Sequence, residues 1–198
     1  MEKKTDNGLK ARAVFLDRDG TINQDRGYVY RIADFHFYPR AVDAICSLNR
    51  AGWKVIVVTN QAGIAHGYFS EEDVRELHRF LHQEVAAGGG RLDGIYYCPH
   101  HPGGKVSKYA VSCGCRKPAP GMLLQAAAEH GLDLAKCWMV GDKFDVDIGL
   151  ARNAGTRGAL VRTGYGEGAD ALMQQSVFQP DLVAENLWEA VKAILAAG

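Results

Sequence analysis

Short apolar runs that stop at polar residues, separated by helix-patterned stretches, constrain this chain more than any other feature. Residues 13–16 (Ala-Val-Phe-Leu) stop at Asp17, the β-branched run at 54–58 stops at Thr59-Asn60-Gln61, and residues 137–140 lead through Gly141 to Asp142 and Lys143. Further strand-like runs fall at 95–97 and 159–161. Apolar runs without alternation suit strands that are covered on both faces. Between them lie apolar residues at three- and four-residue spacing, the period of a helix face. Val42, Ile45 and Leu48 mark a helix at 39–49 that stops at Gly52. Ser70 caps a second, with Val74, Leu77, Leu81 and Val85 on its stripe and glycines 88–90 beyond. Others run from Pro120 to near Gly131, over 145–154, and from Asn186 through Leu187, Val191, Ile194 and Leu195.

Strands alternating with helices predict an α/β fold, a parallel sheet with helices on both faces. There is no internal repeat and no low-complexity tract. Residues 23–38 and 100–117 lack periodicity, and loops that long in a compact domain usually carry function. At 198 residues, 47% of them hydrophobic, the chain has the length of one domain, spanning 1–198, and can bury a core without disulfide staples. Lys plus Arg and Asp plus Glu both number 23, so the net charge is zero, which argues against a nucleic-acid partner. The longest run of branched aliphatic residues, 55–58, is too short for a bilayer, and residues 1–12 are polar without an apolar targeting core. The expectation is a soluble, cytoplasmic, monomeric protein with no membrane partner.

In a parallel sheet the C-terminal strand ends share one edge, and ligands bind there. Asp17, Asp19, Thr59, Asp142 and Lys143 should therefore converge, together with Lys117 before the Pro120 helix. Two facing carboxylates, Asp17 and Asp142, repel unless a cation lies between them, and Mg²⁺ favours a few protein oxygens plus substrate phosphate. Thr59 and Lys117 suit the remaining phosphate oxygens. Asp17 is placed to attack phosphorus as a carboxylate nucleophile. Asp19 would share its direction if the strand continued, and could protonate the leaving alkoxide and then deprotonate water. Gly20 permits a sharp turn just past the acids. Arg116, Lys117 and Lys143 together suit a doubly anionic substrate, with Arg116 offering bidentate recognition of a second phosphate.

A second metal signal lies in the long loop. Cys98-x-His100 and Cys113-x-Cys115 supply three thiolates and an imidazole, the closed tetrahedral set of a structural Zn²⁺ site, with His101 as the alternative to His100. The loop at about 98–115 has little apolar content, and a metal would order it. Cys46 and Cys137 fall within apolar patterns and read as core residues.

Four motifs, D-R-D-G-T at 17–21, T-N-Q at 59–61, C-R-K-P at 115–118 and V-G-D-K at 140–143, resemble those of the haloacid dehalogenase (HAD) superfamily of phosphatases. The resemblance covers about residues 13–165. It implies a Rossmann-like sheet, Asp17 as nucleophile, Asp19 as general acid and base, Thr59 and Lys117 as phosphate ligands, and Mg²⁺ on Asp17, Asp142 and the backbone carbonyl of Asp19. The superfamily often adds an acid four or five residues after the metal aspartate. Asp147 fits and Asp145 competes, so that role stays open between them.

C-P-H-H-P at 98–102 and C-x-C-R-K-P-x-P-G-M at 113–122 are similar to the heptose bisphosphate phosphatases, which act in making ADP-heptose for lipopolysaccharide, and to the related histidinol-phosphate phosphatases. Both are small enzymes without a large cap domain, and only the 41 residues 18–58 separate Asp17 from Thr59. In the heptose enzymes the loop after the first motif also touches substrate. Carried over, this implies contacts from Asp25, Arg26, Gly27 and Tyr28, with Asn60, Gln61 and Ala62 beyond Thr59, and with Arg116 and Lys143 on the distal part. The expected reaction is Mg²⁺-dependent hydrolysis of a sugar bisphosphate, heptose 1,7-bisphosphate to the 1-phosphate, through an aspartyl phosphate. Histidinol phosphate is the alternative substrate. A nucleic-acid 3′-end phosphatase conflicts with the zero net charge. A signalling receiver module lacks its aspartate here, because the run before Thr59 carries none.

Overall fold

The computed structural model describes residues 11–197. The polar N-terminal stretch lies, up to residue 10, outside the described residues. The elements in chain order are β1 (Ala13–Leu16), α1 (Ala41–Arg50), β2 (Lys54–Asn60), α2 (Ala62–His66), α3 (Glu71–Ala87), β3 (Gly94–Cys98), α4 (Gly121–His130), β4 (Trp138–Gly141), α5 (Gly149–Ala154), β5 (Arg157–Val161), α6 (Asp170–Gln175), β6 (Leu182–Ala184) and α7 (Leu187–Ala196). Six strands form one sheet in the order β3-β2-β1-β4-β5-β6, and every pairing is parallel. The order reverses between β1 and β4, and a doubly wound sheet opens its binding crevice at such a point.

The strands are buried on both faces, as their uniform apolarity requires. Val14, Leu16, Val55, Val57, Val140 and Val161 point into one core, closed by Ile45 and Leu48 of α1, Leu77, Leu81 and Val85 of α3, and Val191 and Ile194 of α7. Their neighbours Ala13, Phe15, Ile56, Val58 and Met139 point into the other, closed by Met122 and Leu123 of α4 and Leu150 of α5. The period of two along each strand sorts residues between the layers.

Local signals act as expected at several ends. The Ser70 hydroxyl accepts the Asp73 N–H at 3.2 Å, and the Asp73 carboxylate accepts the Ser70 N–H at 2.7 Å, a reciprocal cap on α3. Asn186 accepts the Glu189 N–H at 3.0 Å to start α7. Gly131 ends α4 in the left-handed conformation. Three details differ from the sequence reading. β2 runs on through Thr59 and Asn60, so these residues belong to the strand. The stretch expected as one helix at 145–154 begins as a π-helical turn, Phe144–Ile148, before α5. β1 stops at Leu16, so Asp19 reaches the site by a turn: Gly20 donates to the Asn23 carbonyl at 2.7 Å, and Ile22 and Asn23 donate to that of Arg18. Among the described residues no helix is long and apolar enough to cross a membrane.

Candidate active site

A cavity of about 300 Å³ lies over the C-terminal ends of β1, β2 and β4. Asp17, Asp19, Asp25, Gly27, Tyr28, Thr59, Asn60, Gln61, Ala62, Arg116, Lys117 and Lys143 all line it. Of the side chains expected there, Arg26 does not: it is exposed and donates to Gln24 at 3.1 Å. Asp142 lies just beneath, fully buried.

The floor is a buried charge cluster. Asp17 Oδ1 accepts the Arg18 backbone N–H at 2.7 Å and lies 2.8 Å from Lys117 Nζ. The same ammonium donates to Asp147 at 2.6 Å and to the Val58 carbonyl at 3.1 Å. Asp147 Oδ2 accepts the Lys143 N–H at 3.0 Å, so both of its oxygens are committed. Asp145 is exposed. Of the two acids left open by the sequence, Asp147 is the one buried in this cluster, where it holds Lys117.

Electrostatics follow from burial. Loss of solvent raises Asp17 to about 6, with Lys117 opposing and Asp147 adding to the shift. Asp142 rises to about 8, first from burial and then from the like charges of Asp17 and Asp147. Burial would lower Lys117, but Asp147 and Asp17 outweigh it and hold the ammonium charged. Asp142 Oδ2 accepts the Tyr165 N–H at 2.8 Å, whereas its Oδ1 is buried without a hydrogen-bond partner. A dry, unpartnered carboxylate oxygen among like charges fits a hard divalent cation. Ligand oxygens of Asp17, Asp142 and Asp147 all lie within 4.8 Å of one another.

Backbone space at the cluster is tight. A Cβ on Gly20, whose φ is +91°, would lie 2.2 Å from Asp142 Oδ2, and one on Gly164 would lie 2.3 Å from the same atom.

Asp19 is gripped from three sides. Its Oδ1 accepts Arg18 Nε at 3.1 Å and Asn23 Nδ2 at 2.9 Å, and its Oδ2 accepts Arg18 Nη2 at 2.7 Å and Gln61 Nε2 at 3.2 Å. Burial favours the neutral acid, but the Arg18 charge and these hydrogen bonds outweigh it and hold Asp19 below the ordinary carboxylate range. Gln61 also donates to Thr59 Oγ1 at 2.9 Å. The Asn60 amide is spent on the Lys117 backbone, at 3.1 and 3.0 Å, which ties β2 to the start of the Pro120 segment. At the rim, Asp25 accepts Lys143 Nζ at 3.3 Å, and that ammonium lies 4.5 Å from the centre of the Tyr165 ring.

Arg18, His78, Asn23 and Tyr165 escaped the sequence reading. Arg18 lies inside the D-R-D-G-T motif, and Tyr165 lies beyond the end of β5, where the strand-end rule also applies. His78 is a titratable residue on the buried face of α3, four residues after Val74, and that placement was its signal.

In the long loop the sulfurs of Cys98, Cys113 and Cys115 lie 3.1 to 3.5 Å apart, and His100 Nδ1 lies 3.7 Å from Cys98 and 3.4 Å from Cys115. Sulfurs at the Zn–S distance sit roughly 3.8 Å apart around a tetrahedral ion; here the four ligand atoms converge on one centre with the sulfurs somewhat closer than that. His101 faces elsewhere and accepts the Gly103 N–H at 3.1 Å. Burial raises the Cys98 thiol. At Cys113, burial is outweighed by hydrogen bonds from Cys115 and the Arg116 backbone, and the thiol falls to about 7.

Comparison with known proteins agrees with this geometry. A HAD-hydrolase-like family model matches residues 114–190. A D-glycero-beta-D-manno-heptose-1,7-bisphosphate 7-phosphatase of Yersinia pestis is 50% identical over 93% of this chain and 95% of its own. The chain belongs to the heptose-bisphosphate phosphatase family. Its Escherichia coli K12 relative of the same name is 49% identical over 77% of this chain and 80% of its own. The D,D-heptose 1,7-bisphosphate phosphatase of B. bronchiseptica, solved with magnesium and phosphate, superposes with a TM-score of 0.83 at 34% identity, covering 95% of this chain and 99% of that one. As a member of this family the chain is a phosphoric monoester hydrolase, built on a six-stranded parallel sheet without a large cap.

Proposed function

We propose that this enzyme hydrolyses the 7-phosphate of a heptose 1,7-bisphosphate, leaving the 1-phosphate and inorganic phosphate. The observation that carries the reading is the unpartnered, buried Asp142 Oδ1 set against Asp17 and beside the Lys117 ammonium. This is a cation-and-phosphate site in a chain half identical to a phosphatase of that name. Asp17, Asp142 and the Asp19 carbonyl would hold Mg²⁺, which when bound would offset the repulsion between phosphate and the carboxylates. We assign the whole chain to one domain acting as a cytoplasmic monomer in the supply of heptose for lipopolysaccharide, with Zn²⁺ on Cys98, His100, Cys113 and Cys115 as a structural ion.

Asp17 attacks phosphorus, and the bond from phosphorus to the ester oxygen breaks. Lys117 and Thr59 steady the phosphate oxygens. Asp19 gives a proton to the leaving alkoxide. The free enzyme holds Asp19 as carboxylate; an incoming phosphate dianion is a like charge that raises its proton affinity, so Asp19 takes up one proton from solvent as substrate binds and returns it to solvent when phosphate leaves. Asp19 then takes a proton from water, whose oxygen attacks the aspartyl phosphate; phosphate leaves and Asp17 is restored. Arg116 and Lys143, both at the cavity wall, face the second phosphate, and Asp25 and Tyr28 complete the rim.

The test is phosphate release from both anomers of heptose 1,7-bisphosphate, from histidinol phosphate and from a 3′-phosphorylated oligonucleotide, on metal-stripped protein with Mg²⁺ restored. A clear preference for a heptose ester is expected, and Asp17→Asn should bring release to background with the fold retained, since an amide is no anionic nucleophile. Preference for either other ester, or substantial turnover by Asp17→Asn, overturns the substrate or the covalent step respectively.

A further inference from the structure

Arg18 lies between the two catalytic aspartates in sequence, yet its side chain is wholly buried. A guanidinium out of water needs acceptors for its N–H groups. Two of them form a fork on Asp19, at 3.1 and 2.7 Å. The Val29 carbonyl takes Nη2 at 2.6 Å. The last partner is distant in sequence: His78 Nε2 on α3, 3.1 Å from Nη1. His78 is itself buried and packs edge-on against Tyr97, their ring centres 5.7 Å apart. An imidazole there accepts through a neutral lone pair. It anchors Nη1, the guanidinium nitrogen outside the fork, without competing for the positive charge, which stays directed at Asp19. A carboxylate in the same place would draw the guanidinium to itself.

We propose that His78 is a positioning residue for catalysis: by fixing Arg18 it fixes the orientation in which Asp19 meets the leaving oxygen. This rests on the phosphatase reading above and adds to it a residue of the helix layer that never touches substrate. Orientation within a few tenths of an ångström decides how well a general acid serves a poor leaving group, while a good leaving group needs little protonation. The role therefore shows as dependence on the leaving group, which a purely structural histidine would not produce.

The experiment compares wild type with His78→Leu, His78→Glu and His78→Gln on two esters, the heptose bisphosphate and 4-nitrophenyl phosphate. With the second, the burst of 4-nitrophenolate isolates the first chemical step. His78→Leu removes the acceptor. His78→Glu keeps Arg18 paired, and so guards against a variant that fails to fold, but pulls the fork from Asp19. Both should lower kcat on the heptose ester about 10- to 100-fold, with KM and the burst rate within about threefold of wild type. His78→Gln, which retains a neutral acceptor, should stay within about threefold on both esters. A 4-nitrophenolate burst rate that falls as far as kcat on the heptose ester, or an unchanged heptose rate in folded His78→Leu or His78→Glu, overturns the positioning role while leaving the phosphatase reading intact. Wild-type protein that cleaves neither ester overturns both.

Discussion

The Lys117 ammonium and the Asp147 carboxylate lie 2.6 Å apart with neither side chain more than 1% exposed. The pair joins the end of the 98–115 loop to the π-helical turn after β4, and through it Asp17, the proposed nucleophile, is held beside a fixed positive charge. Removing one partner of a buried ion pair strands the other. Asp147→Asn is worse than a simple deletion, because its NH₂ must face either Lys117 Nζ or the Lys143 N–H, both of which are donors. The expected cost is about 3–5 kcal/mol of stability in urea denaturation, with a large fall in kcat. A cost under about 1 kcal/mol would mean that Asp17 alone satisfies the ammonium.

Gly20 provides a steric test of the acid cluster. In Gly20→Ala the new Cβ would meet Asp142 Oδ2 at 2.2 Å in a backbone of φ +91°. Gly52 has a similar φ of +78° but open space around it, and it lies away from the site. Gly52→Ala should cost only about 1 kcal/mol, the left-handed backbone penalty, with activity retained. Gly20→Ala should lose both activity and Mg²⁺-dependent thermal stabilisation. Equal behaviour of the two variants would mean that the crowding at Asp142 relaxes freely.

His78 sets a pH dependence of stability. Burial lowers its pKa to about 3; the adjacent Arg18 charge adds to this and Asp19 opposes it. Tyr97 also packs on the ring. The unfolded chain binds a proton near pH 6.5 and the folded chain does not, so this contribution is complete above pH 6.5 and shrinks as pH falls toward 3. Between pH 7 and 5 it should remove about 2 kcal/mol. His78→Gln should be less steep by that amount in denaturation series at the two pH values. Parallel slopes for the two proteins would rule out a neutral buried His78.

Much of this was legible in the sequence because it depends on local pattern. The apolar runs at 13–16 and 55–58 read as covered strands, and strand-end polarity then brings Asp17, Thr59 and Asp142 to one edge. What escaped depends on tertiary packing. α2, Ala62–His66, is too short to show a period, and β6, Leu182–Ala184, is a three-residue edge strand whose Val183 is exposed. The choice between Asp145 and Asp147 turns on the π-helical turn, which no propensity announces. The contact between Arg18 and His78 spans 60 residues and has no sequence signature beyond a histidine on an apolar face.

The proposed structural zinc carries the last prediction. Four ligands from Cys98, His100, Cys113 and Cys115 leave no open position for water or substrate, so such an ion fixes shape and performs no chemistry. The shape matters because the site is wired to substrate recognition: Arg116, next after Cys115, donates to the His100 carbonyl at 3.2 Å and lines the cavity. Lys117 follows, with its backbone tied to Asn60. Loss of zinc should therefore loosen Arg116 first and leave the Lys117 pair, which is buried on its own account, in place. Elemental analysis of protein purified without added metal should find about one zinc per chain, as a single four-ligand site holds one ion. Metal-stripped protein given Mg²⁺ alone should recover kcat with a KM raised about tenfold, the worth of one charge-assisted hydrogen bond. Adding Zn²⁺ should restore KM. Cys113→Ser should reproduce the stripped state and resist the rescue. A disulfide between Cys98 and Cys113 in purified protein, or full affinity for substrate without zinc, would remove the basis for this coupling.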